Sequence, residues 1–107
     1  MIKLFEEYNE YYHEITQKEF NNGEEINFTR KEIQYLTKLY KNIKTSDYAS
    51  KLLDNFLILR KDNLVINIYK LPDEWYIVGV IPNIFPHKPI YYKCDQMEGL
   101  VKLLDGL

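Results

Sequence analysis

The second half of the chain is dense in apolar positions, and their phase changes along its length. FLILR, LVINIYK, EWYIVGVI and IYYKC are short stretches rich in β-branched and aromatic residues, separated by turn chemistry. They predict four strands at about residues 55–60, 64–70, 74–81 and 90–94. Lys61-Asp62-Asn63 joins the first pair, and Leu71-Pro72-Asp73-Glu74, with a proline that presets φ, joins the second. Residues 82–89, PNIFPHKP, hold three prolines and form a longer loop that no central strand can contain. No connection is long enough for a crossover helix, so the strands are expected as an antiparallel meander.

Helical periodicity appears elsewhere. Residues 28–42 place Ile33, Leu36 and Tyr40 along one side, extended by Leu39 and Ile43. Thr29 and Glu32 have capping-box spacing, Phe28 sits where it can staple to Ile33, and lysines gather near the far end. A helix over 30–42 follows. A second, over 96–105, is marked by Met97, Leu100, Val101 and Leu104 on one face, an Asp95/Glu98 cap and a terminal Gly106. Ile2, Phe5, Tyr8, Tyr12 and Ile15 recur at three and four, as on an N-terminal helix, although YYHEI would equally begin a strand. Thr16 and Glu19 open a further short helix expected to end near Gly23. The sum is one α+β domain over 1–107, a two-layer body with helices on a four-stranded sheet. Its 107 residues suit a single core without staples.

Alternation along the strands separates Trp75, Ile77, Gly79 and Ile81 from Tyr76, Val78 and Val80. One sheet face reads as aliphatic and belongs under the helices. The other is expected to carry Tyr69, Tyr76, Val78, Val80 and Tyr91 among Asn67 and Lys93. That is too apolar for a bare solvent face, so either residues 1–22 or a partner must cover it.

Composition and charge narrow the function classes. The net charge is −2, which argues against tight phosphate-backbone binding. The charge is uneven: seven acids against two bases over residues 1–27, then six bases against two acids over 28–51. This reads as an acidic layer beside a basic helix, or as a face of Arg30, Lys31, Lys38 and Lys41 for an acidic partner. A nucleic-acid accessory role on helix 30–42 is the weaker alternative. Ten tyrosines against four glycines reflect AT-rich coding, and tyrosine is also the residue that interfaces favour. The start, MIKLFEEYNE, has no apolar core of a signal peptide, and no apolar run approaches the ~20 residues of a membrane span. The expected place is the host cytoplasm or a virion, with no membrane and no secretion.

Candidate chemistry is sparse. Glu10 and His13 form a Glu-x-x-His pair with Glu14 adjacent, but no second motif completes a metal site. His87 lies in the proline loop. Cys94, the single cysteine, shares the apolar phase of Ile90 and Tyr92 and reads as a structural thiol. Asp73 and Glu74 are turn residues. No phosphate loop, zinc spacing or nucleophile elbow is present, so neither an enzyme nor a cofactor is implied.

YKLPDEWYIV (69–78) and YYKCDQMEGLVKLL (91–104) resemble a pattern of small uncharacterised proteins from large DNA viruses with AT-rich genomes, of the mimivirus kind. These end in a hairpin, a Tyr-rich strand, Cys-Asp-Gln and a short leucine helix. The resemblance spans about the last 40 residues and implies viral origin, with no catalytic residue to carry over. The expectation is a non-enzymatic protein-interaction module of viral or mobile-element origin. It would bind itself or a host protein, with inhibition of a host defence factor as one such role, through Tyr69, Tyr76, Val78, Val80, Tyr91 and Phe85. A virion or assembly component is the alternative.

Overall fold

The structure, a computed structural model, describes residues 11–40, 43–46 and 53–107. Its centre is a six-stranded antiparallel sheet. Strands β1 (Tyr12–Ile15), β2 (Ile43–Ser46), β3 (Leu53–Lys61), β4 (Leu64–Leu71), β5 (Trp75–Pro82) and β6 (Ile90–Asp95) lie in the order β1-β6-β5-β4-β3-β2. The expected meander is therefore present as β3 to β6. It is extended by β2 on one edge and closed by β1 on the other.

Two of these strands correct the sequence reading. Residues 12–15 are strand, not helix: Tyr12 pairs with Cys94 and Ile15 with Tyr91. Three- and four-residue spacing fits both periods over so short a stretch, and β6 supplies the ladder partners that decide it. The proposed helical residues Ile2, Phe5 and Tyr8 lie outside the described residues. Strand β2 occupies part of the stretch left open between helix and sheet. It pairs Ile43 with Leu59 and shifts register between Thr45 and Ser46.

The helices are α1 (Gln17–Asn21), α2 (Arg30–Leu39) and α3 (Gln96–Gly106). Both capping boxes form: Thr16 with Glu19, and Thr29 with Glu32. Helix α2 ends at Leu39, because Tyr40 is already extended at φ −125°. Asp95 does take the N-cap position of α3, but its side chain makes no capping hydrogen bond. Gly23 follows α1 without a positive φ. Its requirement is space: a Cβ there would stand 2.7 Å from Ile77 Cδ1.

The main core lies between the sheet and helices α2 and α3. It holds Leu57, Leu59, Ile66, Ile68, Tyr76, Val78, Val80 and Cys94 from the strands, Phe28 and Leu36 from the α2 region, and Leu100, Leu103 and Leu104 from α3. This overturns the expected face assignment. Across the β4–β5 turn, Leu71 pairs with Trp75, which sets Ile68 opposite Val78 and Ile66 opposite Val80. Residues directly opposite in an antiparallel ladder share a face. Tyr76, Val78 and Val80 therefore belong to the helix-covered face, and Tyr69 and Tyr91 to the other. Helix α1 lies on that other face, so the body is two-layered with a partial third layer. Among the described residues no helix is long and apolar enough to cross a membrane.

Candidate binding surfaces

The sheet and α2 are joined by three convergent polar side chains. Glu32, the N3 residue of α2, accepts the backbone N–H of Thr29 at 2.7 Å and the ammonium of Lys70 at 2.7 Å on Oε1. Its Oε2 accepts the hydroxyl of Tyr76. Lys70 and Tyr76 are register partners on β4 and β5, so the ladder itself aligns the two donors under the helix. The ion pair is largely shielded, with side-chain exposures of 12% and 15%. Burial alone would raise the Glu32 carboxyl, but hydrogen bonds from Lys70, Tyr76 and Thr29 outweigh it and hold the group below its ordinary value. Burial, and then the Glu32 bond, drives the Tyr76 phenol far up, so it stays a donor.

A cleft of about 360 Å³ opens beside this cluster. Lys31, Glu32 and Tyr35 of α2 form one wall, Glu74 of the β4–β5 turn another, and Tyr76 and Met97 complete it. Tyr35 is 48% exposed. Lys31 and Glu74 are exposed, and among the described residues neither side chain makes a hydrogen bond or ion pair. Glu74 and its neighbour Asp73 both hold φ at 62°, a left-handed geometry that is costly for residues with a Cβ. The cleft was not legible in the sequence, because its residues come from three separate segments. The one local signal was Glu32, marked by its capping box.

The second surface is the proline loop between β5 and β6. Ile84, Phe85 and Ile90 are 60%, 84% and 42% exposed. The loop has structure of its own. His87 N–H donates to Ile84 O at 2.8 Å, His87 Nδ1 lies 2.9 Å from Pro82 O, and Asn83 N–H reaches Asn63 O at 2.6 Å. The Phe85 and His87 rings meet edge-on at 6.2 Å. The apolar tip is thus tied to the β3–β4 turn.

The remaining expected binding residues divide. Tyr76, Val78 and Val80 are 2%, 0% and 5% exposed and present nothing to a partner. Tyr69 and Tyr91 are half-buried beneath Phe20 of α1, whose ring lies 5.5 Å from Tyr69 and 4.4 Å from Tyr91. Part of the second face is therefore covered from within the chain. A second cavity of about 380 Å³ lies between α1 and β5, with the buried Ile77 and the charged Glu24 and Lys93 among its walls. Lys93 also sits over the Trp75 ring, 4.6 Å from its centroid.

On α2, Arg30, Lys31 and Lys38 are all exposed, while Lys41 lies outside the described residues. Glu10 lies outside them as well. His13 and Glu14 are consecutive strand residues and point to opposite faces, which removes the helical geometry of a Glu-x-x-His site. Among the described residues no group of three His, Cys, Asp or Glu could hold a metal. Cys94 is fully buried, and burial pushes its thiol up to about 12. The chain matches no protein-family model, no curated protein and no solved structure.

Proposed function

We propose that the chain is a non-enzymatic protein-binding module whose partner docks on the Ile84–Phe85 tip. The observation that carries this reading is the 84% exposure of Phe85 beside 60% at Ile84 and 42% at Ile90, in a loop whose backbone is held by hydrogen bonds. Fully burying one phenylalanine contributes about 2–3 kcal/mol, and a pre-ordered loop loses little entropy on docking. Contiguous exposed apolar side chains on a small domain mark contact surfaces. The Glu32–Lys70–Tyr76 cluster has a structural role that accounts for it: each of its charges and donors is spent on holding α2 to the sheet.

The test compares wild type with Ile84→Asp/Phe85→Asp in quantitative affinity capture from host lysate, with sedimentation velocity on the purified protein for self-association. The double variant should keep the wild-type melting temperature and lose the partner, whether that is another protein or a second copy. Undiminished capture and association in the variant would overturn the reading.

A further inference from the structure

We infer that the cleft between α2, the β4–β5 turn and the start of α3 is a binding site for a small dipolar ion, namely a free α-amino acid with a large apolar side chain. The argument rests on how its charges are disposed. Glu32 is already neutralised: Lys70 takes Oε1 and Tyr76 takes Oε2. Two further charged residues line the cleft, Lys31 on the helix wall and Glu74 on the turn wall, and among the described residues neither side chain makes a hydrogen bond or an ion pair.

A lone cation entering this cleft meets Lys31 as well as Glu74, and a lone anion meets the reverse. A molecule carrying both an ammonium and a carboxylate satisfies both walls at once. Lys31 and Glu74 are long, exposed side chains, so both charged ends can turn toward a single small ligand. Glu74 is held there by a turn that accepts left-handed backbone at two non-glycine residues, 73 and 74. Such geometry costs on the order of 1 kcal/mol or more per residue and persists where surroundings impose it.

The rest of the lining is apolar and polarisable. Tyr35 offers a half-exposed ring, and Met97 offers a thioether. Aromatic faces attract an ammonium, and thioethers adapt to apolar and aromatic side chains of varied shape. The volume of about 360 Å³ lies in the range of small-molecule sites.

The experiment is a titration of the 15N-labelled protein, followed by NMR, with L-phenylalanine and L-methionine. N-acetyl-L-phenylalanine, which lacks the cation, and L-phenylalanine methyl ester, which lacks the anion, serve as single-charge probes. Saturable shifts are expected at residues 31–35, 74–76 and 97. Affinity should fall about tenfold when either charge is removed from the ligand, or from the protein by Lys31→Gln or Glu74→Gln. The Phe85→Asp variant should bind the amino acids as wild type does, which separates this site from the protein-docking tip. No saturable shift at millimolar amino acid, or equal binding of all three phenylalanine probes, would overturn the assignment.

Discussion

Tyr76 donates its hydroxyl hydrogen to Glu32, so a residue in the middle of the sheet holds the first turn of α2 in place. The same carboxylate also closes the capping box with Thr29 and pairs with Lys70. One side chain thus serves helix initiation and helix docking together. The three partners should differ in cost. Tyr76→Phe removes one donor to a charged acceptor and is expected to destabilise by about 1–3 kcal/mol. Thr29→Ala removes a cap and should cost about 1 kcal/mol. Glu32→Ala removes the cap and strands the shielded Lys70 ammonium, so about 2–4 kcal/mol is expected. Urea denaturation of the three variants checks the order, and a Glu32→Ala cost no larger than that of Thr29→Ala would refute the dual role.

The same cluster sets the acid limb of stability. The folded Glu32 carboxyl lies below its ordinary 4.5, because the hydrogen bonds outweigh burial. A depressed carboxyl stabilises the fold fully above its unfolded pKa, and the contribution is lost as pH falls through the folded value. Glu25, raised by burial, has the opposite sign: it favours the fold most when protonated. Wild type should therefore lose stability below about pH 4.5 more steeply than Glu32→Gln. Urea midpoints measured across that range decide it, and parallel curves for the two proteins would exclude Glu32 as the source.

At high pH the buried thiol leads. Burial pushes Cys94 from 9.0 up to about 12. A raised thiol pKa gives stability that is whole below 9.0 and is lost as pH rises toward the folded value. The raised tyrosines Tyr40 and Tyr76 start from 10.0, so they follow later. Between about pH 9 and 10 the slope of stability against pH should be shallower in Cys94→Ala than in wild type, whatever the fixed cost of the missing sulfur. Thermal melts in that window make the measurement, and an unchanged slope would show that the thiol is not the titrating group.

Strands β3 to β6, helices α2 and α3 and both Thr-Glu caps were legible in the sequence, because each is written in local pattern. The faces of the sheet were not. Alternation shows that Tyr76, Val78 and Val80 share a side, but not which side of β4 they join. That depends on the turn, where Leu71 meets Trp75, and a shift of one residue would exchange the faces. Strand β1 was obscured for a related reason. Its four residues acquire strand character from β6, some eighty positions away. Of the six apolar and aromatic residues expected to meet a partner, Phe85 alone is exposed. The Lys31–Glu74 cleft has no sequence signature, since long-range packing alone brings those residues together.

Two glycines of α3 should respond to alanine with opposite signs. A Cβ on Gly99 would stand 2.2 Å from the carbonyl oxygen of Tyr11, and backbone cannot yield as a flexible side-chain tip can. Tyr11 O also accepts the Asp95 N–H at 2.8 Å, so the contact is anchored. Gly99→Ala is expected to cost about 1–3 kcal/mol or more through overpacking, beyond any gain in helix propensity. A Cβ on Gly106 would meet no other part of the fold within 4 Å. Gly106→Ala should be neutral or stabilising, by up to about 1 kcal/mol. Denaturation midpoints of both variants test this, and a harmless Gly99→Ala would mean that the approach of β1 to α3 is looser than described.

The sharpest contrast lies between two apolar residues of the β5–β6 region. Val78 is 0% exposed at the centre of the sheet, between Ile68 and Tyr92 in the ladder, while Phe85 is 84% exposed on the loop. Val78→Glu places a carboxylate among aliphatic side chains with no partner, which is expected to cost more than about 4 kcal/mol and to unfold a domain of this size. Phe85→Asp removes a side chain that packs on little besides His87, so the change should stay within about 0.5 kcal/mol. Circular dichroism melts of the two variants read this directly. If Val78→Glu folds normally, the two-sided burial of β5 is wrong and the sheet face regains its claim as a docking surface. If Phe85→Asp is strongly destabilised, the loop tip is held by the fold and is not free to meet a partner.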